Sequence, residues 1–238
     1  GGLSMSLMSC LVSFGTVSLQ SAINQMGTAV IVAHTATRKI FEIVMVPSTV
    51  LSSAMATFSG QNFGAGRLDR IRAGLKSALL IGLAWSGIAI VIIFLAADAL
   101  IRLIASSSNP EVIYWGSTYI KLNILFMIVC ICVCVLRNTM QGFGNRVIPV
   151  ISSLIELAGK IIFAFALAPV FGYWGIIWSE PVAWIAMVIP LAISTIHTFR
   201  KADLNASHVT DGKESTTDPG ENSISRTDQR GMVGKTTK

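Results

Sequence analysis

Two carboxylates and an amine stand inside stretches otherwise apolar enough to cross a bilayer: Glu156 and Lys160 in residues 148–171, and Glu180 in residues 173–198. Such groups are costly in hydrocarbon unless they pair or face water, so they point to a path for a solute or ion sooner than to an inert anchor. Four-residue spacing with the acid first puts Glu156 and Lys160 on one helix face in the favourable order. Glu156 lies roughly 12 Å along such a helix from Ile148, at about 1.5 Å per residue, well below the surface. The pair reads either as a neutralised brace or as part of a cavity wall whose proton occupancy shifts as the cavity opens. Glu180 precedes Pro181, which removes one helix hydrogen bond and frees a carbonyl. That dipeptide reads as a kink with a Glu bonded across helices, or as a cation or proton site. Arg38 and Glu42, also one turn apart, form an internal salt bridge or line an external vestibule.

The elements that must hold these groups are membrane helices. With 53% hydrophobic and 13% charged residues, the 238-residue chain is unlike a soluble domain. Six candidate spans follow from apolar runs of bilayer length: residues 5–26, 40–57 with a kink at Pro47, 77–97, 120–136, 148–171 and 173–198. Residues 101–107 and 110–118 read as short interfacial helices. Ser13, Thr16, Gln20 and Asn24 recur at three- and four-residue steps, giving the first span one polar stripe. The formal charge of +6 resides in residues 1–200, where twelve Lys/Arg face six Asp/Glu. Arg67, Arg70, Arg72 and Lys76 follow the second span, Arg137 and Arg146 flank the exit of the fourth, and Arg200 and Lys201 follow the sixth. Positive charge at the even-numbered exits places both termini in the cytoplasm, with Arg38 and Lys39 as the exception. Residues 1–200 are therefore expected to form a six-span bundle and residues 201–238, rich in Ser, Thr, Asp and Gly, a disordered cytoplasmic tail. There the sequon at Asn205 would stay silent. A start without Met or a charged n-region argues against a signal peptide and reads as a fragment.

Two Gly-rich stretches close cytoplasmic exits. Gly60, Gln61, Asn62, Gly64 and Gly66 are expected in a turn that packs helix ends, with Gln61 and Asn62 bonding nearby carbonyls. Neither the preceding strand nor the Lys-Ser/Thr ending of a phosphate loop is present. Arg137, Gln141, Gly142 and Gly144 repeat the pattern, as a surface anchor or an intracellular gate. Cys10, Cys130, Cys132 and Cys134 read as buried and inert, and no metal is expected. His34, His197 and His208 suggest no constellation, and the tail is charge-balanced, so an enzyme and a nucleic-acid binder are both disfavoured.

Four motifs carry a family resemblance: Gln20-Ser-Ala-Ile-Asn-Gln-Met-Gly-Thr28, the 60–66 turn with Asp69-Arg-Ile-Arg72, Leu136-Arg-Asn-Thr-Met-Gln-Gly-Phe-Gly144 and Gly175-Ile-Ile-Trp-Ser-Glu-Pro-Val-Ala-Trp184. Over residues 1–200 the chain resembles the carboxyl-terminal half of multidrug and toxic compound extrusion (MATE) transporters. The resemblance implies an all-α polytopic fold, one six-helix half of a twelve-helix pseudo-symmetric transporter. It implies a secondary antiporter of the plasma (inner) membrane that exports organic cations or other amphipathic xenobiotics in exchange for H+ or Na+, without a bound cofactor. A lipid-linked intermediate flippase or a non-transporting six-span protein are the alternatives. An amino-terminal six-span bundle is the implied partner, beside membrane lipid and a small-molecule substrate. Gln20, Asn24, Arg38, Glu42, Glu156, Lys160 and Glu180 become cleft or coupling candidates; the glycines above, Gln61, Asn62, Arg137, Gln141 and Pro181 become turn or gate candidates. Family members with a carboxyl-half sodium site place acids in the seventh and tenth spans, and residues 5–26 and 120–136 hold none.

Overall fold

A computed structural model describes residues 2–145 and 147–214, with side chains from residue 6 to 201. All the regular structure described is helical: α1 Gly2–Ile23, α2 Thr28–Gly64, α3 Leu68–Ala105, α4 Pro110–Leu125, α5 Met127–Gly142, α6 Val147–Ile162, a π-helical turn Phe163–Leu167, α7 Ala168–Phe171 and α8 Tyr173–Glu214. Two compact units divide the chain after Ile196. The second is described only as the continuing helix to Glu214.

Five helical segments are long and apolar enough to cross a bilayer, and α4 with α5, bent by 54° at Phe126, pass the same test only as a pair, as a broken span or a re-entrant loop. Five of the six expected spans thus stand where the apolar runs predict them, the fourth is the bent pair, and the boundaries differ. α2 and α3, at 37 and 38 residues, are each about 55 Å long at 1.5 Å per residue, nearly twice the hydrocarbon thickness. Polar ends therefore belong to the same helices as the apolar middles: Arg70, Arg72 and Lys76 open α3 instead of lying in a loop. Residues 101–105, expected in an interfacial helix, finish α3, while residues 110–118 begin the bent span. Asn109 caps α4 by accepting from the Glu111 N–H at 2.9 Å, and Pro110 suits the first turn because its missing N–H would be unbonded there. Beyond Lys201 the backbone stays helical to Glu214, against the disorder read from composition; extending a formed helix gains a hydrogen bond per residue, and Ala202, Leu204 and Ala206 favour it. Residues 215–238 and Arg146 lie outside the described residues.

The buried face of α3 alternates small residues with the isoleucines Ile71, Ile93 and Ile101. α3 turns Ala78, Gly82, Ser86, Ala89 and Ala97 inward and leaves Leu80, Ile81, Leu83, Val91 and Leu95 exposed, as expected of a helix whose outer face meets lipid and whose inner face lets backbones approach. The main apolar cluster joins α2, α3, α4, α5 and the middle of α8, where Phe41 stacks on Trp184 with ring centroids 5.7 Å apart. A second cluster ties Leu19, Ala22 and Ile23 of α1 to Tyr119, Ala164, Ala168, Ile176 and Ile177.

The glycine-rich stretches act differently from the expected turns. Gly60, Gln61, Asn62 and Gly64 are helical, and so are Arg137, Gln141 and Gly142; only Gly66 (φ 69°) and Gly144 (φ 76°) adopt the left-handed turn conformation. Helix persists because backbone bonding continues through these residues, while Asn62 bonds the Phe58 carbonyl one turn back at 2.8 Å. Close approach, the other role read from the glycines, is realised between helices. A Cβ on Gly142 would lie 2.6 Å from the Ala56 carbonyl oxygen and 2.7 Å from Ser59 Cβ, so α5 crosses α2 there at backbone contact.

Candidate functional site

The polar stripe of α1 meets the buried charges. Thr16, Gln20, His34, Arg38, Lys160 and Glu180 line one cavity of about 60 Å³, so α1, α2, α6 and α8 each contribute. Gly15 makes room for this encounter: a Cβ there would stand 3.0 Å from Lys160 Cδ and 3.5 Å from the Leu157 backbone. Gln20 donates to Asn24 at 2.9 Å, and Asn24 sits one residue past the end of α1.

Two ion-pair networks carry the charge. Arg38 on α2 bridges to Glu180 on α8 with Nη1–Oε1 at 2.5 Å, while the Tyr119 hydroxyl donates to the other carboxylate oxygen at 3.2 Å. Glu42 is two-thirds exposed and 3.8 Å from Arg38, which makes it a peripheral third member. The Arg38–Glu42 pair expected from spacing is present, and Glu180 on a neighbouring helix is a second, closer and more buried partner of the same guanidinium. Arg38, the exception to the positive-inside count, has an interior partner. His34 Nδ1 and the Tyr173 hydroxyl lie 3.1 Å apart, with the His34 ring edge-on to Tyr119 at 5.2 Å.

In the second network Lys160 Nζ is 3.0 Å from one oxygen of Glu156, and Arg137 Nη2 is 3.4 Å from the other. Arg137 also donates from Nε to Ser152 Oγ at 3.0 Å, and its Nη2 lies 3.2 Å from Met187 Sδ. It therefore braces α5 against α6 and α8 instead of anchoring a surface turn. Lys160 reaches Thr16 of α1 at 3.5 Å. The i,i+4 pair expected from spacing is present; its third member could not be found by spacing because Arg137 belongs to another span.

Pro181 lies inside α8, and its missing N–H leaves the Ile177 carbonyl without its helical donor. Asn123 Nδ2 of α4 donates to that carbonyl at 3.3 Å and to the Tyr119 carbonyl at 3.1 Å. The freed carbonyl is thus bonded by an amide of a neighbouring helix. Among the cysteines, Cys130 is buried, Cys132 and Cys134 are half-buried, and Cys10 is exposed on α1, departing from the uniformly buried set expected. Sequence reasoning missed His34, Tyr119, Tyr173 and Asn123; the only signal was polar or aromatic residues in spans already carrying charge.

The profile of the MatE family matches residues 5–166, more than half of the chain. The chain belongs to the MatE family. A MATE relative, the probable multidrug resistance protein YoeA of Bacillus subtilis (strain 168), is 20% identical over 184 residues, which cover 77% of this chain and 35% of YoeA. The fold is similar to a MOP superfamily transporter from Pyrococcus furiosus described by the reversed polarity of its binding pocket: TM-score 0.69, 14% identity, covering 80% of this chain and 42% of that one. It is equally similar to the inward-facing form of a MATE multidrug resistance transporter: TM-score 0.69, 18% identity, covering 84% and 47%. The chain spans about a third to a half of these proteins. MATE chains are transporters and not enzymes, and the apolar helices make this one an integral membrane protein.

Proposed function

We propose that the chain supplies the carboxyl-terminal six-span half of a secondary antiporter that exports amphipathic organic solutes, including organic cations, in exchange for H+ or Na+. The observation that carries this reading is the cavity in which the polar stripe of α1 meets Arg38, Lys160 and Glu180 at membrane depth. Structural glue needs no open polar face, whereas Ser13 and Thr16 on α1 and Asn24 just past its end remain exposed. Half a cleft cannot alternate access, so an amino-terminal bundle completes it, with both termini in the cytoplasm of a plasma (inner) membrane.

Coupling acts through the carboxylates. A proton or Na+ on Glu180 or Glu156 competes with the guanidinium or ammonium that holds it and weakens the bridge between helices. Glu180 joins α2 to α8, and Glu156 joins α6 to α5, so occupancy at either biases the relative position of the spans. Every carboxylate facing the cleft already has a cationic partner here. An organic cation therefore draws its counter-charge from the other bundle or displaces one of these pairs. Glu156→Gln and Glu180→Gln in the full-length transporter should each slow efflux of a fluorescent cation driven by a proton or sodium gradient in vesicles. Unchanged coupling in both variants would remove these acids from the mechanism.

A further inference from the structure

Beside Arg137 lies a larger space of about 430 Å³, between α1 and the last turns of α5. Its wall combines apolar Met8 and Val12 with Ser13, Asn138 and Gln141, and Arg137 is the one charged residue in it. The charge next to it is unbalanced. Glu156 is shared by Lys160 and Arg137, so two cations meet one carboxylate and the cluster keeps one positive charge. Glu180 is paired with Arg38 and shares a cavity with Lys160, whereas Arg137 has Glu156 as its one acidic partner among the described residues. Arg137 is 19% exposed at its side chain and directs Nε and Nη2 to Ser152, Glu156 and Met187. Its Nη1 has no hydrogen-bond partner among the described residues. A positive charge in low dielectric draws an anion, and a guanidinium with spare N–H groups suits a carboxylate, sulfonate or phosphate.

The geometry points to a binding site for an amphipathic anion, with its acidic headgroup on Arg137, its polar rim on Ser13, Asn138 and Gln141, and its apolar body against Met8 and Val12. It deepens the transport reading by assigning this half an anionic or acid-bearing ligand, and it rests on that reading only for the ligand's passage across the membrane. Headgroup and free solute share the chemistry, so lipid composition distinguishes the two sources.

The test is equilibrium binding to the full chain in nanodiscs, with anilinonaphthalene sulfonate as the anionic probe and a cationic dye as control. Arg137→Gln should weaken sulfonate binding about tenfold and leave the dye unaffected, and Arg137→Lys should retain most of the affinity. Ser13→Phe fills the space from α1 without touching the ion pairs, and should also block the sulfonate if Arg137→Gln fails to fold. Phosphatidylglycerol that competes with the sulfonate in the native protein, but not in Arg137→Gln, makes the occupant a lipid headgroup; no competition makes it a free solute. Unchanged sulfonate affinity in Arg137→Gln and Ser13→Phe, or equal loss of both probes, overturns the site. Transport fails or persists independently of this readout, so the two readings fall separately.

Discussion

Glu180 makes clear what a buried carboxylate needs. Its two oxygens take Arg38 and Tyr119, so removing the cation leaves a buried charge with one neutral donor. Arg38→Ala should cost about 3–5 kcal/mol, read from unfolding midpoints in detergent, whereas joint replacement by Arg38→Met and Glu180→Leu should cost far less. The inequality is the prediction: a pair that stabilised by mutual attraction alone would make the double variant cost as much as Arg38→Ala. Asn123 offers a second test. Asn123→Ala uncaps the Ile177 carbonyl and should destabilise by about 1–3 kcal/mol. Placed on a Pro181→Ala background, where the backbone N–H returns to that carbonyl, the same substitution should cost clearly less.

At the scale of elements, the crossing of α2 and α5 is set by Gly142. Gly142→Val places a side chain against the Ala56 carbonyl and should push the two helices apart, lowering the thermal midpoint by several degrees and with it transport. Gly87 on α3 has nothing within 4 Å of its would-be Cβ, so Gly87→Ala should be neutral or stabilise by up to about 1 kcal/mol through helix propensity. Much of this scale was legible in the sequence. Apolar runs announce spans because lipid requires every backbone group to bond internally, and they placed five spans and the bent α4–α5 pair. They did not announce helix ends: polar residues such as Gln61 and Arg70 stay helical outside the apolar window, and only backbone bonding decides where they stop. Side-chain partners were legible only within one turn. Glu156 and Lys160 follow from spacing, but Arg38 with Glu180, 142 residues apart, depends on how α2 and α8 meet.

For the whole molecule, the carboxyl-half proposal predicts that vesicles holding residues 1–238 alone show no gradient-driven efflux, and that co-expression with an amino-terminal six-span bundle restores it. Efflux by the chain alone would mean that it pairs with itself. α1 suits a face shared with another bundle: its inner side packs on α6 and the π-helical turn, while Phe14 and Val17 are about two-thirds exposed on the outer side. Cysteines at those two positions should react with a thiol reagent in the isolated chain and be shielded once the second bundle is present.

The π-helical turn at Phe163–Leu167 has a consequence for rotational phase. Ser152, Glu156, Lys160, Ala164 and Ala168 follow one another at four-residue steps, and a regular helix would drift roughly 40° at each. The wider turn cancels part of that drift, so Ala164 and Ala168 still meet α1 below Lys160. One span thus presents Lys160 and the two alanines to α1 together, a set that a regular helix would fan out around its circumference.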